Sequence, residues 1–152
     1  MRKRVLLGMS GGVDSSTSAI LLQDMGYEVC GITFLFSNRE KANLKVIKEA
    51  NVLANQLQIK HLLIDLRDLF QRTVIKDFIK QYKEGKTPFP CAYCNPNIKF
   101  FYLNKYAIQE NCDNISTGHY AQVKLYNSEN YIYQGKDTEK DQSFFLWGLN
   151  KE

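Results

Sequence analysis

Two short segments of this chain hold residue types whose spacing could do chemistry. The first is Ser10-Gly11-Gly12-Val13-Asp14-Ser15-Ser16. Paired glycines let the backbone turn so that successive N–H groups point into one concavity, a nest suited to phosphate oxygens. Ser10, Ser15 and Ser16 add hydroxyl donors, and Asp14 is a hard oxygen ligand for the Mg2+ that accompanies phosphates. No Gly-Lys-Ser/Thr follows and the order is not Gly-x-Gly-x-x-Gly, so neither of the two commoner nucleotide loops is present. The competing reading is a plain strand-to-helix turn capped by Asp14 or Ser15. The second segment is Cys91-Ala92-Tyr93-Cys94. In a reducing compartment such a pair suits catalysis, redox exchange or metal binding better than a structural disulfide. Sulfur chemistry needs a thiolate, which a nearby helix N-terminus and Lys99 favour. Cys30 and Cys112 read instead as small buried hydrophobes.

Elements must position these groups. Val5 to Met9 is a short apolar run that opens into the glycine loop, and Thr17 to Met25 reads as a helix with Ala19, Ile20, Leu21 and Leu22 on its apolar side, ended by Gly26. Val29 to Phe36 is a β-branched and aromatic strand, Lys41 to Leu57 a helix, His61 to Ile64 a strand and Leu69 to Tyr82 a helix. This alternation predicts an α/β fold, a parallel sheet flanked by helices. Glu84-Gly85-Lys86-Thr87-Pro88-Phe89-Pro90 breaks the pattern, so the cysteines are expected on a loop, with a helix resuming near Ile98. Ile115 to Thr117 is a further strand, ending in Gly118-His119, and Ala121 to Tyr126 with Tyr131 to Gln134 predicts a hairpin.

The 152 residues fit one domain, with a net charge of +4 that leans mildly toward polyanions. No apolar run approaches the ~20 residues of a membrane span, and the start is too short for a signal peptide, so no membrane partner and a cytoplasmic location are expected.

Four segments in one order resemble a known family. They are Gly8-Met9-Ser10-Gly11-Gly12-Val13-Asp14-Ser15, the stretch from Gly85 to Phe100 around the cysteines, Thr117-Gly118-His119-Tyr120-Ala121, and Lys140-Asp141-Gln142-Ser143-Phe144-Phe145-Leu146. The first resembles the pyrophosphate-binding loop of the ATP-pyrophosphatases, and the set resembles the tRNA-specific 2-thiouridylases. The resemblance implies an adenine nucleotide alpha hydrolase-like (PP-loop) domain over residues 1–152. It also implies that the family's tRNA-binding and β-barrel domains, and its persulfide-carrying cysteine, fall outside this chain, so that the chain alone is not expected to thiolate tRNA.

The resemblance further implies ATP and Mg2+ as cofactors, tRNA as substrate and a persulfide-carrying protein as sulfur donor. The C2 carbonyl oxygen of the wobble uridine would be adenylated and replaced by sulfur passed through a cysteine, releasing AMP and pyrophosphate. Gly8, Met9, Ser10, Gly11, Gly12, Val13, Asp14, Ser15, Phe34 and Gly118 would bind ATP, with Asp14 on the metal. Cys94 matches the family nucleophile, with Cys91 beside it, and Phe89, Pro90, Cys91, His119, Lys140, Asp141 and Gln142 would contact tRNA. An iron–sulfur cluster on Cys91, Cys94 and a further cysteine is the alternative to the favoured persulfide route. Another adenylating tRNA thiolase or synthetase, or a non-catalytic nucleotide-binding module, are the rival functions. Pro88-Phe89-Pro90 departs from the family's Pro-Asn-Pro, and Phe34-Leu35-Phe36-Ser37 lacks its methionine.

Overall fold

The computed structural model describes residues 3–149; Met1 and Arg2, part of the start weighed as a leader, and residues 150–152 lie outside them. The sequence reading treats 1–152 as one domain; the described residues fall into two compact units, 3–73 with 102–118, and 74–101 with 119–149.

The first unit is built on a four-stranded sheet of order β3-β2-β1-β4, formed by β1 (Arg4–Gly8), β2 (Glu28–Leu35), β3 (Lys60–Asp65) and β4 (Asn114–Thr117). Every pairing is parallel, as the strand–helix alternation predicts. Side-chain alternation divides the strands between two faces. Val5, Leu7, Met9 and Val29 pack with Ala19 and Leu22 of α1 (Val13–Asp24) and Leu53 of α2 (Glu40–Gln56). Leu6, Cys30 and Ile32 pack on the opposite face with Leu103 and Ala107 of α6 (Phe101–Gln109). Both faces are therefore covered, and the strands read as continuous apolar runs for that reason. Leu6 has no exposed surface. Leu6→Ala is expected to lower the unfolding free energy by about 3 kcal/mol, read by urea denaturation.

α1 differs from its expected form in two ways. It starts at Val13 rather than Thr17, and its buried stripe is narrow: Ser15 and Ala19 are buried while Ile20 and Leu21 stand exposed. The small residues at positions i and i+4 let the helix lie close on the sheet, which turns the larger ones outward. Cys30 is buried as expected, and Cys112 only partly so.

From the short α3 (Arg67–Phe70) a helical stretch runs through a π-helical turn (Gln71–Ile75) into α4 (Lys76–Lys83), which belongs to the second unit. The expected cysteine loop is instead helical. α5 (Pro90–Cys94) leads through a π-helical segment, Asn95–Phe100, to the start of α6. Pro90 sits in the first turn, where its missing N–H costs nothing and its fixed φ favours a helix start. The hairpin of β5 (Ala121–Tyr126) and β6 (Glu129–Gln134) forms as predicted. Its turn places Asn127 and Ser128 at φ 49° and 65°, the left-handed pair that a two-residue hairpin loop requires. A 3₁₀ turn, Ser143–Leu146, carries the aromatic segment.

Candidate functional site

In the sheet unit, β1 lies between β2 and β4, so the chain leaves it toward one side and returns on the other. The crevice at the carboxyl ends of such strands is where open parallel sheets take ligands. Gly8 ends β1 and Thr117 ends β4, and the two are register partners. The glycine loop and Gly118 therefore meet at one place. A Cβ on Gly118 would lie 3.3 Å from the backbone carbonyl carbon of Asp14 and 3.3 Å from the Ser15 nitrogen. A side chain at 118 would press on that backbone by a few tenths of an ångström, so glycine gives the loop its closest seat.

The loop itself is held by local bonds. Gly11 has φ +77°, and a Cβ there would stand 2.6 Å from the Glu49 Cβ and 2.9 Å from the Ala50 backbone nitrogen of α2. The Gly12 N–H donates to the Ser10 hydroxyl (3.4 Å), while the Ser15 and Ser16 hydroxyls donate to the Gly12 carbonyl (3.0 and 2.9 Å). The N-cap of α1 is Gly12, which offers no side-chain cap. A helix N-terminus beside a glycine turn directs backbone N–H groups toward an anion. Asp14 is exposed in the first turn, Val13 is 81% exposed and points away from any core, and Met9 is buried. Phe34, near the end of β2, packs on the α6 face with its ring 6.0 Å from that of Phe36.

Two residues that the sequence reading passed over support this loop. The Thr33 hydroxyl donates to the Met9 carbonyl (2.7 Å), and His61 Nε2 lies 2.8 Å from the same hydroxyl. A threonine one position from a predicted site residue and a lone histidine carry no sequence signal of that kind.

The second unit gathers the remaining predicted residues. Cys94 is buried and Cys91 exposed. Burial raises the Cys94 thiol above its ordinary value and Cys91 adds to the rise, while Lys99 pulls the other way. The expected thiolate is therefore disfavoured at rest, because desolvation of the charged form outweighs one nearby ammonium. His119 lies 5.9 Å, ring to ring, from Phe100, and burial first, then Lys99, holds its imidazole below the ordinary value. Phe89 packs against Phe144 and Phe145 at 5.2 and 5.5 Å, so the aromatic segment covers the start of the cysteine helix.

Asp141 and Gln142 have their side chains engaged inside the unit. Asp141 accepts from the Gly135 N–H (2.7 Å) and the Ser143 hydroxyl (2.8 Å), and these bonds hold its carboxyl below the ordinary carboxylate value. Gln142 accepts from the Tyr120 N–H at 3.1 Å and its own N–H donates to the Tyr120 carbonyl at 2.8 Å. Lys140 keeps its ammonium at the surface, 5.7 Å over the Tyr120 ring. Asn95, which sequence reasoning left aside, is buried and donates to the Phe145 carbonyl (2.7 Å), tying the cysteine helix to the aromatic segment. Among the described residues, no three His, Cys, Asp or Glu gather where they would hold a metal ion, and no helix is long and apolar enough to cross a membrane.

Residues 3–152 match the family model of the tRNA methyl transferase HUP domain. Two tRNA-specific 2-thiouridylases of Phocaeicola vulgatus are similar: one is 47% identical over 149 residues, covering 98% of this chain and 42% of the relative. The other is 45% identical over 157 residues, covering 99% and 42%. A solved glutamine-dependent NAD+ synthetase of Acinetobacter baumannii, in complex with ADP, shares the fold at a TM-score of 0.50 and 14% identity, over 76% of this chain and 21% of that one. The chain thus spans about two fifths of the length of the curated relatives it matches.

Proposed function

On the premise that the chain belongs to the tRNA methyl transferase HUP-domain family, we propose that it is the nucleotide-binding and sulfur-handling part of an ATP-dependent tRNA-uridine 2-sulfurtransferase. The observation that carries the nucleotide half is the approach of Gly118 to the Asp14–Ser15 backbone, which fixes the glycine loop at the switch point of the sheet. Bound ATP supplies an adenylyl group, which turns the C2 oxygen of a uridine into a leaving group, since that carbonyl has none of its own.

The chain's residues would do the rest. Gly8 to Ser15 receive the departing pyrophosphate through backbone N–H groups and the positive end of α1. Asp14, an exposed carboxylate beside that nest, fits a hard divalent ion and would hold the Mg2+. Phe34 and Gly118 would border the adenosine side. The outer sulfur of a persulfide on a second cysteine would displace AMP at C2, and the Cys94 thiolate, whose proton loss Lys99 assists, would attack that cysteine's sulfur, freeing 2-thiouridine and leaving a disulfide between the two cysteines. Phe89, Pro90, Cys91, His119 and Lys140 would face the RNA, with Asp141 and Gln142 shaping the segment that presents Lys140. tRNA, a persulfide-carrying donor protein and a cytoplasmic location complete the reading; its support is the similarity to the two 2-thiouridylases.

Titration calorimetry tests it. Wild-type chain is expected to bind ATP with Mg2+, and Asp14→Ala to weaken that binding by about a hundredfold, roughly 2.7 kcal/mol. A folded Asp14→Ala variant with unchanged affinity would remove Asp14 from the site, and a wild type that binds no nucleotide would remove the function.

A further inference from the structure

The glycine loop is flexible by composition, yet the residue that enters it is clamped on both sides of its peptide. The Met9 N–H donates to the Ile32 carbonyl at 2.8 Å, and the Met9 carbonyl accepts from the Thr33 hydroxyl at 2.7 Å. Thr33 is 2% exposed, so its hydroxyl has no water to turn to. That hydroxyl has one proton, and it goes to Met9. His61 Nε2, 2.8 Å from the same oxygen, must then be the N–H that donates to it. On the far side of the ring, Nδ1 lies 2.8 Å from Asn51 Oδ1. Burial favours the neutral imidazole, so with Nε2–H given to Thr33 the Nδ1 lone pair is satisfied once the Asn51 amide is turned over to present Nδ2 in place of Oδ1.

Packing fits the same arrangement. His61 is the register partner of Gly31, and a Cβ on Gly31 would lie 3.3 Å from His61 Cδ2 and closer still to the Met9 sulfur. The missing side chain is what lets Met9 and the imidazole share that face of the sheet. Asn51 follows directly after Glu49 and Ala50, the residues against which Gly11 is pressed. One helix therefore braces the loop at Gly11 and, through His61 and Thr33, at Met9.

We propose that Thr33 and His61 form a positioning pair that holds the Met9 peptide, and with it the phosphate-facing glycine loop, in its nucleotide-receiving conformation. Neither side chain touches nucleotide in this proposal, which rests on the ATP reading above. Asn51 orients the imidazole from outside the core.

Hydrogen exchange and ATP·Mg2+ calorimetry on the same variants test it. Thr33→Val and His61→Leu are expected to raise the dissociation constant about tenfold, the size of one lost hydrogen bond. Exchange should quicken at the Ser10, Gly11 and Gly12 amides and stay unchanged at Leu6, Leu7 and Ile32. Thr33→Ser, which keeps the hydroxyl, should restore both. Asn51→Ala changes an exposed residue, cannot unfold the core, and should weaken binding about threefold. Exchange that quickens equally in loop and strands would reduce the pair to ordinary core packing and overturn the proposal. So would unchanged loop exchange in Thr33→Val and Asn51→Ala. A wild type that binds no ATP·Mg2+ sinks the nucleotide reading alone, since the exchange comparison still decides whether the pair holds the loop.

Discussion

Gly11→Ala is expected to abolish ATP binding while leaving the sheet folded. Two penalties coincide at this position. The backbone is left-handed, φ +77°, which costs an alanine on the order of 1 kcal/mol. The added methyl would also stand 2.6 Å from the Glu49 Cβ and 2.9 Å from a backbone nitrogen of α2, well inside van der Waals contact. Neither neighbour is the free end of a flexible side chain, so the loop or the helix must move. The loop is the softer of the two, and its movement dismantles the nest. A loss of at least about a hundredfold in affinity follows, roughly 2.7 kcal/mol. Gly26→Ala is the control, because Gly26 has a similar φ of +86° but nothing within 4 Å of its added Cβ. That variant should lose only about 1 kcal/mol of stability and bind ATP as the wild type does. Calorimetry paired with thermal unfolding reads both. If Gly11→Ala bound ATP within threefold of wild type, the glycine nest would not be the phosphate site.

The Gly11 and Gly26 comparison also marks what a sequence can disclose. That Gly11 lies in a turn between strand and helix is legible from its neighbours, because β1 is an apolar run and the helix pattern resumes soon after. That it faces Glu49 is not, since this depends on how a helix some forty residues later lies on the sheet. Thr33 and His61 stayed invisible for the same reason: their meeting needs the β2–β3 register, in which Gly31 stands beside His61. The cysteine segment was misplaced by a local signal with two meanings. Pro88 and Pro90 break a preceding helix, yet Pro90 also begins the next one. The hairpin was readable because Asn127 and Ser128 tolerate the left-handed turn that its strands demand. α1 was read with too wide an apolar face, because Ile20 and Leu21 count as hydrophobic whether or not anything covers them.

Cys94→Ser is expected to abolish sulfur transfer, by at least about a thousandfold, when a persulfide-carrying partner cysteine is supplied, with ATP binding unchanged. A serine hydroxyl fills nearly the same space but does not cleave an S–S bond as a thiolate does, so the chemistry is lost and the packing kept. Cys91→Ser removes an exposed thiol and should leave most of the activity. Loss of activity in both variants, with iron that copurifies only with the wild type, would replace persulfide exchange by cluster chemistry. The reactivity of the two thiols provides a second measure. Burial raises Cys94 from its ordinary value of 9.0, so less of it is thiolate at neutral pH than an exposed cysteine would be. Alkylation by iodoacetamide should therefore mark Cys91 first, with the Cys94 rate still rising on the alkaline side of pH 9. Lys99 opposes that rise in pKa, so Lys99→Met should push the Cys94 profile further toward high pH, and Lys99→Arg should restore it. The sign for stability runs the same way. A thiol whose folded value exceeds its unfolded one stabilises the fold below the unfolded value, and loses that contribution as pH climbs through the folded one. Cys94→Ser should accordingly flatten the alkaline loss of stability in the folded chain. An alkylation profile for Cys94 that lies below the ordinary cysteine value of 9.0 would show a thiolate already formed at rest, and Lys99 rather than burial would then govern the nucleophile.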